Sequence, residues 1–158
     1  MSCSIQFVYS VDNFCLNKYD FDNINNYSIV SILEYGDQKI IIPGDIETDG
    51  WEMLLKGDNF REAIKGTTVF IASHHGRESG FPDKIFNYFT PEVIIISDCE
   101  GIETSAVNKY RNYCKGSKII KDKEKIDRFV LSTRNDGPIV IKIEGDPFYT
   151  PMSRNIYI

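Results

Sequence analysis

Three side chains in this sequence are well suited to chemistry: Asp45 and the adjacent pair His74-His75, which are the only histidines present. Asp45 follows the apolar run Lys39–Pro43 and Gly44, so it falls at a strand end just before a turn. His74-His75 follows a second apolar run, Thr67–Ala72, and precedes Gly76. Strand ends are where α/β folds place their sites. On position alone, Asp45 also reads as an ordinary turn residue and the histidines as loop residues without a task. Together they suggest more. A carboxylate and an imidazole at neighbouring strand ends are able to share a zinc or related ion. Such an ion lowers the pKa of its water to about 7 and so supplies a nucleophile. No rival constellation competes: there is no Gly-rich phosphate loop, no nucleophile elbow and no His-Glu-x-x-His.

The elements that must position these residues are legible as alternating apolar runs. Ile5–Tyr9 reads as a strand and Asp12–Asn26, rich in Asn and Asp, as a long loop. Ser28–Tyr35 and Lys39–Pro43, joined at Gly36-Asp37, predict a β-hairpin. Asp49 with Glu52 predicts a capping box, followed by Trp51, Leu54 and Leu55 on one helical face; Asn59 with Glu62 repeats the pattern. Thr67–Ala72 and Val93–Ser97 are buried strands, with a helix beginning at Pro82 between them. Thr104 or Ser105 is a cap for a helix reaching about Cys114. Lys115–Arg128 mixes both charges and reads as a solvated face. Phe129–Thr133, Asn135-Asp136-Gly137 and Ile139–Ile143 predict a second hairpin. The alternation implies one α/β domain over residues 1–158.

Bulk properties narrow the function. A length of 158 residues with 42% hydrophobic content suits one packed core. A net charge of -5 disfavours a general phosphate-backbone platform, so nucleic acid enters only as a substrate. No run approaches the roughly 18 apolar residues of a membrane span, and the N-terminus lacks a signal-peptide pattern. Cys3, Cys15, Cys99 and Cys114 form no Cys-x-x-Cys pair and read as free thiols of a cytoplasmic protein.

Several ordered stretches resemble the ComEC-type branch of the metallo-β-lactamase superfamily, which includes a domain of a competence DNA-uptake protein. They are Asn25-Asn26-Tyr27-Ser28-Ile29-Val30, Ile40–Glu47 with its Pro-Gly-Asp step, Ser73-His74-His75-Gly76, Pro91–Ser97 and Thr133–Gly137. The resemblance runs from about Asn25 onward and covers the C-terminal half of that fold. It implies a mixed sheet with helices on one face, half of an αββα sandwich. It also implies that Asp45 bridges two metal ions, that His75 is a metal ligand, and that His74 faces substrate as a catalytic residue. Arg77 and Ser79 lie in the loop where the family contacts substrate. The family's main motif, His-x-His-x-Asp-His, is missing here.

The implied function is metal-dependent hydrolysis of a phosphodiester or other anionic ester, with the His-rich half of the site supplied elsewhere. Zinc is the implied metal, manganese an alternative, and a two-metal site forms only once the missing half is present. A half-fold would leave a sheet face bare, so a partner chain or segment carrying the N-terminal half, or a homo-oligomer, is expected. The other reading is a catalytically degenerate binding or regulatory subunit that keeps Asp45 and His75 as remnants.

Overall fold

The computed structural model describes residues 4–9 (backbone only), 22–101, 106–145 and 152–158. Most of the loop expected over Asp12–Asn26, the helix cap at Thr104 or Ser105, and Cys3 and Cys15 lie outside the described residues. Cys99 and Cys114 are free thiols.

A six-stranded mixed sheet carries the candidate residues. Its strands are β1 (Ser4–Tyr9), β2 (Val30–Tyr35), β3 (Gln38–Ile42), β4 (Val69–Ile71), β5 (Val93–Ile96) and β8 (Val130–Ser132), in the order β1-β2-β3-β4-β5-β8. The hairpin expected at Gly36-Asp37 is present, with Tyr35 paired to Gln38. β3, β4, β5 and β8 run parallel, so their C-terminal ends lie along one edge. That edge holds Asp45 after β3, His74-His75 after β4, Ser97 after β5 and Thr133 after β8.

Helices cover one face of this sheet. α1 (Thr48–Leu54) buries Trp51, Met53 and Leu54, and α2 (Asp58–Ala63) buries Phe60. Both begin differently from the capping pattern. α1 starts at Thr48 with no side-chain bond from its own N-cap; the remote Asn26 Oδ1 accepts from Gly50 N at 3.2 Å instead. α2 starts after Gly57, ahead of Asn59. The segment after Pro82 is a 3-10 turn, Asp83–Asn87, whereas α3 (Val107–Tyr110) continues as a 3-10 turn over Arg111–Tyr113 and so ends at about Cys114 as expected. Their aromatic rings pack around Phe70 of β4, with Trp51, Phe86, Phe89 and Tyr110 at centroid distances of 5.6–6.3 Å.

A second sheet covers the opposite face. β6 (Ser117–Lys121), β7 (Glu124–Arg128), β9 (Val140–Glu144) and β10 (Ser153–Tyr157) are ordered β7-β6-β10-β9. Ile119, Ile126, Ile141, Ile143 and Ile156 pack against Ile40, Val69, Val93, Ile95 and Leu131 of the larger sheet. Arg154, nearly buried, reaches across to Gln38 and Glu92. Three expectations change accordingly. The mixed sheet has helices on one face as expected, but its other face is filled by the chain's own strands rather than bare. The charged stretch Lys115–Arg128 does turn its charges to solvent as expected, but it is also a hairpin, turned at Asp122-Lys123, both with positive φ as a two-residue turn of this kind requires. Val130–Ser132 and Val140–Glu144 do not pair; α4 (Thr133–Asp136) intervenes and sends them into different sheets. Among the described residues, no helix is long and apolar enough to cross a membrane.

One core residue carries an unused polar atom. The Tyr110 side chain is buried against Phe81, yet its hydroxyl has no partner among the described residues. Burial raises the phenol's pKa well above its usual value, and Glu78 adds to the shift. A buried hydroxyl without a partner costs about 1–3 kcal/mol. Tyr110→Phe should therefore leave urea stability unchanged or raise it by about 1 kcal/mol. A clear loss would show that the hydroxyl is bonded.

Candidate metal edge at the strand ends

The turn after β3 is held by neighbours rather than by its own regularity. Gly44 has a φ of +64°, and a Cβ there would meet Ser28 Cβ at 3.3 Å, so glycine suits the position twice over. Asp45 N donates to Ser28 Oγ at 3.2 Å. Gly44 O accepts from His74 N at 3.1 Å, which ties the aspartate turn to the histidine loop. That loop is anchored from beneath by Ser73, whose buried Oγ accepts from Trp51 Nε1 of α1 at 3.0 Å.

His74 and His75 both have left-handed backbone, with φ of 46° and 55°. Two consecutive non-glycine residues in this region cost about 1–2 kcal/mol each. Such strain persists where surrounding contacts over-determine it, and it concentrates at ligand clamps. Here the consequence is that the two rings diverge, with centroids 6.4 Å apart.

His75 turns toward Asp45. Its Nδ1 lies 2.6 Å from Ser97 O, a carbonyl that only accepts, so the proton sits on Nδ1. Its Nε2 faces Asp45 Oδ1 at 3.6 Å. A carbonyl behind an imidazole is the usual support for a metal-ligating histidine. Both side chains are open, His75 at 39% and Asp45 at 48% exposure. Ser97 is itself fixed by its neighbourhood: Thr133 Oγ1 accepts from Asp98 N at 2.8 Å, and Arg134 pairs with the Asp98 carboxylate.

His74 turns inward. Arg77 Nη1 donates to its Nε2 at 3.0 Å, so its proton sits on Nδ1 and is directed at Glu47 Oε1, 2.8 Å away. Both ring nitrogens are thus engaged by the protein, and the side chain is only 12% exposed. The role implied for His74, a catalytic group facing substrate, meets a ring turned into a protein network. Ser79 Oγ lies 3.3 Å from the same Nδ1. A serine nucleophile relay needs the serine and the carboxylate on opposite ring nitrogens, so Ser79, His74 and Glu47 do not form one. Arg77 forms no ion pair among the described residues, and its Nε is buried without a partner. Thr48 and Glu78 border an open cleft of about 510 Å³ beside this loop, with Phe81, Lys109 and Tyr113.

Glu47 is the hub that sequence reading left without a role. Asn25 Nδ2 donates to its Oε1 at 3.0 Å, and its backbone N donates to Asn26 Oδ1 at 3.0 Å. Burial pushes its carboxyl pKa up, but hydrogen bonds from Asn25, Asn23 and Ser79 and the His74 ring outweigh that and leave it below the usual value. Asn25, Asn26 and Ser28 thus brace the Asp45 turn. Their signals in the sequence are the Asn-rich run before β2 and the place of Asn25–Ser28 among the stretches that carry the family resemblance. Among the described residues, Asp45 and His75 are not joined by a third metal-ligating side chain. Neither a protein-family model, nor a curated protein, nor a solved structure matches the chain.

Proposed function

We propose that this chain is a unit of a metal-dependent hydrolase, of the metallo-β-lactamase kind in its C-terminal half, acting on a phosphodiester or other anionic ester. The observation that supports this reading is the pairing of His75 Nε2 with Asp45 Oδ1 at 3.6 Å, with His75 Nδ1 committed to a carbonyl behind it. Ligand atoms sharing a tetrahedral zinc stand about 3.4 Å apart, given bond lengths near 2.0–2.1 Å. The two residues therefore fit one edge of a zinc or manganese site. The ion would supply an activated water and Lewis acidity. The chain's own groups would supply the rest: Arg77 and Ser79 beside the cleft to hold an anionic group, and His74 to fix that loop through Glu47. The remaining ligands come from a His-x-His-x-Asp-His segment outside this chain.

The test is metal analysis and turnover of bis(p-nitrophenyl) phosphate. The chain alone should bind zinc weakly and be inactive. Adding the His-rich half should restore turnover, and Asp45→Ala or His75→Ala should lower it at least tenfold, the scale on which even supporting residues act. An isolated chain that is fully active with two zinc ions per monomer would refute the shared site. One observation favours the second reading, a non-catalytic binding or regulatory subunit: both nitrogens of His74 are consumed internally. On that reading, Asp45→Ala and His75→Ala leave the biological activity intact.

A further inference from the structure

We propose that two copies of this chain close their Asp45–His75 edges around one zinc ion, giving a metal-dependent twofold dimer. The inference rests on the same two residues being metal ligands, but it requires no hydrolysis.

Ligand number is the first argument. A closed zinc site takes four protein ligands in tetrahedral array. Each copy presents two, at a separation suited to that array and at roughly two-fifths to one-half exposure, so another molecule reaches them without unfolding anything. A twofold axis through the ion brings the second pair with no further sequence requirement, because an isologous contact uses the same patch twice.

The surface around the edge is the second argument. Ile24, Tyr27, Ile29 and Ile42 are exposed large hydrophobic residues, at 79%, 37%, 56% and 45%. Two of them, Ile29 and Ile42, flank the Asp45 turn. Ile42 lies three positions before Asp45, and Ile29 adjoins Ser28, which bonds the Asp45 backbone N. Register places Ser31 opposite Ile42 and Leu33 opposite Ile40. By strand alternation, Ile29 and Ile42 thus share the sheet face that the smaller sheet covers at Ile40. The cover stops short of them at the end where Asp45 and His75 stand. An apolar strip beside an incomplete ligand pair marks a surface that a protein covers.

Charge selects the occupant and its condition. Apposing two copies at this edge brings together their two half-exposed Asp45 carboxylates. Two such carboxylates repel each other. A divalent cation between the two Asp45 carboxylates reverses the sign of that term. The second copy therefore docks with zinc and separates without it. A cationic partner protein would bind the same patch in the absence of metal, and the experiment tells the two apart.

The full chain is run by sedimentation velocity with EDTA and with zinc raised stepwise to a large excess, under reducing conditions, with zinc counted per chain. The expected result is an 18.1 kDa monomer in EDTA and twice that mass in zinc, with one ion per two chains. Asp45→Ala and His75→Ala should each weaken the zinc dimer at least tenfold. Ile42→Asp should do the same although it removes no ligand and its site is exposed. Cys99→Ser should keep the dimer, because the exposed Cys99 thiol is not part of it. One zinc per monomer at unchanged mass, a dimer equally present in EDTA, or a dimer that survives loss of His75 would each overturn the proposal. A chain that forms the zinc dimer but, once its edge is saturated with the His-rich half as a monomer, shows no turnover would sink the hydrolase reading while leaving this one standing. Turnover by a zinc-loaded species that stays monomeric would do the reverse.

Discussion

Replacing Phe70 by alanine is expected to lower stability by about 3–5 kcal/mol, the usual range for a fully buried phenylalanine. Phe70 has no exposed surface, and four other rings meet it from α1, from the turn after Pro82 and from α3. Its neighbours belong to different elements, so they cannot collapse together into the space it leaves. The cost therefore includes a cavity term as well as the lost transfer energy. Domains of this size are stable by about 5–15 kcal/mol, so the loss is a large share of the total. Phe70→Leu keeps much of the apolar volume and should cost less, about 1–2 kcal/mol. Urea unfolding checks both, with the midpoint moving and the slope unchanged. A loss below about 1 kcal/mol for the alanine variant would mean that the aromatic cluster repacks and is not the keystone of the helical face. The same substitution reaches the candidate site. Phe70 precedes Ser73 by three residues, and Ser73 is pinned to Trp51, itself a neighbour of Phe70. A helical layer that loosens at Phe70 also loosens the strained histidine loop.

Much of the larger sheet was legible because its strands are dense in apolar residues. Val93–Ile96 is buried at every position, and such a run has few alternatives to a central strand. The smaller sheet was harder to see. In the β6–β7 hairpin only Ile119 and Ile126 face inward, while Lys118, Lys121, Glu124, Lys125 and Asp127 face solvent. One buried and one partly buried isoleucine in twelve residues do not raise a period above a background of mixed charge. The expectation of a bare sheet face followed from that omission. The hairpin expected across Asn135-Asp136-Gly137 failed for a different reason. Turn chemistry and flanking strands were both present, but Ser132 Oγ accepts from Asn135 N and Asp136 Oδ2 accepts from Ser132 N, which winds the segment into α4. Alternation identifies a strand without identifying its partner.

At the site, the sequence located Asp45 and His75 at neighbouring strand ends, and the folded chain brings them to 3.6 Å. Residue types and spacing alone do not say where each histidine of an adjacent pair points; only the family resemblance assigns His75 to the metal and His74 to substrate. Where each points depends on two left-handed backbone angles and on Ser97 and Glu47, which lie 22 and 27 positions from the histidines they hold. Position in a motif says little about a tautomer; the partner on the far ring nitrogen decides it.

Glu47→Ala is expected to cost about 2–3 kcal/mol, because it strands the donors of Asn25 and His74 in a largely buried network bonded to a charged group. Glu47→Gln keeps the shape and one acceptor and should cost less. The pH dependence separates the charge from the shape. Burial pushes the Glu47 carboxyl pKa up, but Asn25 and the other donors, with His74, hold it below its usual value. A carboxyl with a depressed folded pKa adds stability that is fully present above its unfolded value, about 4.3. That stability is lost as pH falls through the folded value, because the folded state must then take up a proton it resists. The native chain should therefore exceed Glu47→Gln most at neutral pH, and the gap should narrow below about pH 4.3. Asp37, also held below the usual carboxylate range, titrates in both proteins and cancels from the difference. Urea midpoints for both, measured from neutral pH down to about pH 3, give the gap directly. A gap that does not change with pH would mean that Glu47 acts by shape alone, and that His74 is not oriented by a charge. If the gap closes as expected, the carboxylate that orients His74 also fixes the turn bearing Asp45, and losing it should loosen the metal edge before the domain unfolds.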